Sequence, residues 1–98
     1  MNFQKDPFTG DKMIGYLTGN FIVGDVPKEL VSKILKIENE EKIKFVTAGS
    51  HLCEYCQNER GNGDHYRGSY VWPEMLRHYI SKHHYKPPQE FIDFIMNV

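Results

Sequence analysis

Two cysteines, Cys53 and Cys56, enclose two residues. After a gap of 21 residues, His78 and His83 enclose four more. Thiolate sulfur and imidazole nitrogen are the donors zinc takes in closed tetrahedral sites. A Cys-x2-Cys turn aims both sulfurs at one point, and a helix can supply the two imidazoles. Five positions apart, two side chains diverge by about 140° on a helix of 3.6 residues per turn. His78 and His83 therefore reach one ion only where the last helical turn loosens. Pro87 and Pro88 lie just downstream and fit a helix ending there. His84, six positions after His78, competes for the fourth place. His83 is preferred because it falls on the side of Leu76 and Ile80. The expected metal ligands are Cys53, Cys56, His78 and His83, holding Zn2+; spacing alone leaves His84 open.

The gap of 21 residues exceeds the dozen or so of a simple finger. A Gly-rich loop and a strand ending at Trp72 can absorb the excess. In a chain with five histidines, a reduced cysteine pair beside two unrelated histidines is the alternative. Four protein ligands would saturate the ion, leaving no open position for water activation. His51 can serve as an alternate ligand or a supporting group, and Asp64 beside His65 has the outline of an acid–base pair. Both histidines read more simply as loop residues, and Glu54 as a solvent-facing residue of the knuckle. No catalytic residue is assigned.

Ninety-eight residues fit one domain, 1–98, with a small core that a metal can supplement. Forty per cent hydrophobic content with 26% charge argues against a disordered chain. The net charge of −1 lacks the basic excess that phosphate contacts demand. Nucleic acid is thereby disfavoured, although Arg77, Lys82 and Lys86 can form a local basic patch or a solvated helix face. No apolar run approaches the ~20 residues that span a bilayer, and Met1–Gly10 lacks the apolar centre of a signal peptide. The expectation is a cytoplasmic protein with no membrane partner. Two cysteines at this spacing do not make a disulfide framework.

The chain reads as an α+β fold: a small antiparallel sheet with a zinc knuckle and about three short helices. Met13–Leu17 and Phe21–Gly24 predict a β-hairpin across Thr18, Gly19 and Asn20. Asp25 as cap and Pro27 in the first turn predict a helix over 27–38. Its apolar face is Leu30, Val31, Ile34, Leu35 and Ile37, and Glu38 to Lys42 follows as a charged connection. Ile43–Ala48 predicts a strand, Gln57–Asp64 a loop and His65–Trp72 another strand. Pro73 opens a helix over 74–83 with Leu76, Tyr79, Ile80 and His83 on one face. A last helix follows Pro88, with Phe91, Phe94, Ile95 and Val98 as its stripe.

Two segments, GSHLCEYC (Gly49–Cys56) and YVWPEMLRHYISKHHYKPPQEFIDFI (Tyr70–Ile95), resemble a group of small uncharacterised bacterial proteins that look zinc-finger-like. In that group an aromatic and a proline precede a Leu-x-His-Tyr-Ile helix, a second histidine and a Pro-Pro-x-Glu-Phe segment. Here these are Trp72 and Pro73, then Leu76, His78, Tyr79 and Ile80, then His83, then Pro87, Pro88, Glu90 and Phe91. The resemblance covers about a third of the chain. It implies the His78–His83 pairing and lends no activity.

Three functions remain in view. A protein-binding or assembly module fits the charge and the closed site. Its surface can draw on Tyr66, Tyr70, Trp72 and Tyr85, unless these complete the core. A finger-like helix that binds nucleic acid is the second. An enzyme is the third and the least favoured. Thiol oxidoreductases place the first cysteine at a helix N-terminus, whereas Cys56 runs into a loop-like stretch. The His-x-Glu and Pro-Cys-x-x-Cys signature of zinc deaminases is absent.

Overall fold

The computed structural model describes residues 4–6, 9–17, 19–40, 44–53, 55–57 and 60–98, with side chains throughout these ranges except at 44–51 and 60–62. Within them the order is β1 (Lys12–Met13), α1 (Leu30–Glu40), β2 (Lys44–Leu52), β3 (Arg60–Arg67), β4 (Tyr70–Pro73), α2 (Leu76–His83) and α3 (Gln89–Met96). This is the expected α+β architecture with three helices. The sheet order is β1-β4-β3-β2. The β2–β3 and β3–β4 pairs are antiparallel, but β1 runs parallel to β4, so the sheet is mixed rather than antiparallel.

Among the described residues, Met13–Leu17 and Phe21–Gly24 do not pair as the predicted hairpin. β1 is two residues long and adds to β4, with Lys12 opposite Tyr70 and Met13 opposite Val71. Residues 21–24 instead lie beside the C-terminal half, where Val23 bridges Tyr85. Thr18 lies outside the described residues, as do Ile43 at the start of the predicted strand and Glu54 in the knuckle.

The predicted strand over His65–Trp72 is two strands. Gly68 and Ser69 form a two-residue turn between Arg67 and Tyr70, which pair directly. Gly68 takes a φ of 59°. A glycine at the first position of such a loop matches the right-handed twist of the strands it joins. β3 begins at Arg60, inside the stretch read as a loop, so His65 is a strand residue; so is His51, in β2.

α1 starts at Leu30, three residues later than predicted, after a turn in which the Leu30 N–H donates to the Pro27 carbonyl. Leu30, Ile34 and Ile37 are buried, while Leu35 faces outward. In α2 the buried residues are Leu76, Tyr79 and Ile80, and in α3 Phe91, Ile92 and Ile95. Val98 lies past α3 and is exposed. Tyr70 and Trp72, two apart and so on one face of β4, meet the ring of Phe91. The aromatic set considered as a partner surface is therefore mostly core: Tyr70, Trp72 and Tyr85 are buried, and Tyr66 is half-buried.

Gly15 marks a place where nothing larger fits. Its φ is 82°, and a Cβ there would stand 2.6 Å from Leu76 Cδ1. Leu76 is fully buried, so it has no room to yield. Gly15→Ala combines left-handed strain with overpacking and is expected to cost about 2–3 kcal/mol. Chemical denaturation followed by Trp72 fluorescence measures it.

Tyrosine–carboxylate bonds tie the N-terminal segment down. Tyr66 donates to Asp6 and Tyr16 to Asp64, each at 2.7 Å. Glu90 accepts from Tyr70 at 2.6 Å and from Lys12 at 2.8 Å. Burial first, then the carboxylate bond, raises the phenols of Tyr16 and Tyr66 well above their usual range. The same causes push Tyr70 up to about 12, and burial raises Tyr85. A raised folded pKa means that stability is intact below the unfolded value near 10 and falls as the pH climbs above it. These four of the six tyrosines are expected to form phenolate only as the fold is lost, in a steep alkaline transition. Independent titration near 10 in ultraviolet absorbance would contradict this.

Candidate metal centre

Cys53 directly follows β2 and is fully buried. The chain then turns through Tyr55, Cys56 and Gln57, and the Gln57 N–H donates to the Cys53 carbonyl at 2.9 Å. Gln57 closes this turn in a left-handed conformation, with a φ of 57°. The knuckle is thus a single turn that returns Cys56 beside Cys53.

The histidines come from the far end of the same half. His78 sits in the first turn of α2, and His83 is its last residue. His84 follows at a φ of 58°. The His84 and Tyr85 N–H groups both end on the Tyr79 carbonyl, five and six positions back instead of the four of a regular helix. This is the loosened last turn that the five-residue spacing demands. It brings the two imidazoles to a centroid separation of 5.0 Å. His84 is exposed and lies outside the cluster.

Cys53 Sγ lies 3.3 Å from His83 Nε2, and Cys56 Sγ lies 3.4 Å from His78 Nε2. One donor atom from each of the four residues lies within 4.8 Å of every other. Isolated thiol–imidazole hydrogen bonds would explain each short pair. They would not require the two pairs to share one centre. Two sulfurs and two nitrogens converging on one point can hold a metal ion. The carbonyl end of α2 adds a weak negative potential there.

Residues 3–96 match the family model described as a domain of unknown function, DUF7919. The chain belongs to this family. No curated protein and no solved structure matches it significantly. In this DUF7919 chain the cluster draws on both ends of residues 53–83, and it borders the apolar core through Cys53.

Other candidate residues lie apart. His65 is buried and stacks on Trp72, with Nε2 3.9 Å from Glu38 Oε1. Asp64 faces the other side of β3, where it accepts from Tyr16. The two therefore do not form an acid–base pair. Arg77 is engaged with Glu38, which leaves Lys82 and Lys86 of the basic residues considered together.

Two residues carry more than their sequence context announced. In sequence Glu38 begins a charged connection. It is a buried end of α1, its side chain only 4% exposed, accepting from Trp72 Nε1 at 2.9 Å and Arg77 Nε at 2.8 Å. The available signal was its position four after Ile34 and eight after Leu30, on the apolar stripe. Tyr55, inside the knuckle, packs its ring against His83, Tyr79 and Phe21. Its hydroxyl donates to the Gly19 carbonyl at 2.9 Å. Nothing in the Cys-x2-Cys spacing points to that role.

Proposed function

We propose that the chain is a single domain stabilised by one structural zinc ion on Cys53, Cys56, His78 and His83, serving as a protein-binding or assembly module. The convergence of the four donor atoms carries this reading. Zinc bonds of about 2.3 Å to sulfur and 2.0–2.1 Å to nitrogen set tetrahedral sulfur–nitrogen edges near 3.5 Å. The separations of 3.3 and 3.4 Å lie close to that value. Two thiolates neutralise the dication, and two neutral imidazoles complete the shell. Such a closed site favours a structural role over water activation. Burial of Cys53 argues in the same direction, because a redox thiol must be reached by its substrate.

No helix among the described residues is long and apolar enough to cross a membrane. Near-neutral charge favours protein over nucleic acid as the partner.

Cobalt(II) substitution tests the site. The expected spectrum has the intense visible bands of a tetrahedral ion and the charge-transfer bands of two thiolates. Weak bands of a six-coordinate ion would contradict the closed shell. Capture with the zinc-loaded chain, from extract with and without nuclease treatment, tests the module. A defined protein in stoichiometric amount supports it, whereas salt-sensitive retention of nucleic acid alone overturns it.

A further inference from the structure

Residues 19–24 form a strap across the C-terminal half. The Lys86 N–H donates to the Ile22 carbonyl at 2.9 Å, and the Gly24 N–H donates to the His84 carbonyl at 3.1 Å. Ile22 and Val23 are 66% and 61% exposed, so their side chains add little to hold it. Its apolar anchor is Phe21, which is half-buried against the core. The Phe21 ring meets Tyr55 edge-on at 4.9 Å and Tyr85 edge-on at 5.9 Å.

Those two tyrosines belong to opposite halves of the metal cluster. Tyr55 stands between Cys53 and Cys56, and Tyr85 follows His83 by two residues. Tyr55 also donates its hydroxyl to Gly19, at the start of the strap. An apolar groove of about 420 Å³ lies between strap and C-terminal segment, lined by Phe21, Ile22, Tyr85, Pro87 and Pro88 among others. One wall thus contacts Tyr55, inside the knuckle, and the other includes Tyr85, two residues after His83.

We infer that the metal centre clamps the Gly19–Gly24 strap through Tyr55 and Phe21, so that ion occupancy sets whether the groove exists. This rests on the four residues binding an ion. Without the ion, the knuckle and the end of α2 are no longer tied, and Phe21 loses one of its two aromatic neighbours. The strap then has only two backbone bonds to the C-terminal segment among the described residues. Segments with few buried contacts open first.

The amides of Gly24 and Lys86 report the clamp directly, because each makes one of those bonds. Hydrogen exchange is followed by NMR in the zinc-loaded parent, in the parent after chelation, and in Tyr55→Ala, Tyr55→Phe and Phe21→Ala. Zinc content is measured on every sample. Loss of the ring contact is expected to speed exchange at both amides about tenfold in Phe21→Ala and Tyr55→Ala. Amides in the middle of α1 and α3 keep the parent rate. Tyr55→Phe, which loses only the bond to Gly19, shows a smaller increase, and chelation gives at least the full effect. Unchanged exchange at Gly24 and Lys86 in zinc-retaining Phe21→Ala overturns the clamp, even where Tyr55→Ala sheds the ion. Chelation that leaves Gly24 and Lys86 at the parent rate also overturns it. A parent that binds no zinc rejects the metal site itself, a separate outcome read from the same samples.

Discussion

Cys53→Ser is expected to abolish stoichiometric zinc binding and to unfold the C-terminal half at neutral pH. The serine hydroxyl is a poor zinc ligand at that pH, and three remaining donors hold the ion far more weakly. Structural zinc contributes about 10–16 kcal/mol in small finger peptides. A whole domain holds only about 5–15 kcal/mol of net stability, so this one contribution can decide whether the fold persists. Cys53 is also fully buried in the main apolar cluster, so the change places a hydroxyl in the core. The effect should reach α2 and α3 first, since a bound ion would hold α2 to the knuckle through His78 and His83. His78→Ala should match it in metal loss. Circular dichroism, with and without zinc, measures both variants. Helical signal that is unchanged, with metal content unchanged, would reject the role given to the site.

The second large effect is at Glu38. Glu38→Ala removes the acceptor for the Trp72 indole N–H and for the Arg77 guanidinium, both of which approach within 2.9 Å. Trp72 is fully buried, and water does not reach its indole easily. Breaking a buried charged pair from one side costs about 3–5 kcal/mol. Arg77 is about one-third exposed, so solvent recovers part of its share. The expected loss is therefore near the lower end, about 3 kcal/mol. Glu38→Gln keeps the shape and one acceptor, so it should cost less than half as much. Denaturation in urea followed by Trp72, the chain's one tryptophan, reads the change. A Glu38→Ala midpoint equal to the parent's would show that the network adds nothing.

Much of this molecule was legible because its periodicities are regular. The stripes Leu30–Ile34–Ile37, Leu76–Tyr79–Ile80 and Phe91–Ile95 marked three helices, and all three bury those residues. The five-residue His78–His83 spacing stated its own requirement, a loosened final turn, and the Tyr79 carbonyl accepting from His84 and Tyr85 provides it. His84, left open by spacing, is carried outside by its left-handed backbone.

The misreadings have physical causes. Gly19 and Asn20 carry turn chemistry, but turn chemistry does not choose the partner. Lys12–Met13 pairs with β4, and Val23 bridges Tyr85, both long-range pairings that local turn chemistry does not encode. Gly68-Ser69 was a short hairpin signal hidden between β-favouring aromatics, so two strands read as one. Pro73 has the chemistry of a helix opener, yet it ends β4 opposite Asp64. Leu35 and Val98 show that an apolar residue at the edge of a stripe need not be buried. Glu38 shows the converse: a carboxylate belongs in the core when an indole N–H and a guanidinium both need an acceptor there.

Elemental analysis of the untagged chain, purified without added metal, tests the central claim most directly, with His83→Ala and His84→Ala measured alongside. The result expected is about one zinc per chain in the parent and in His84→Ala, and a loss of most of it in His83→Ala. A metal-free parent with both Cys53 and Cys56 reactive toward thiol reagents, or zinc lost with His84→Ala and kept with His83→Ala, would contradict it.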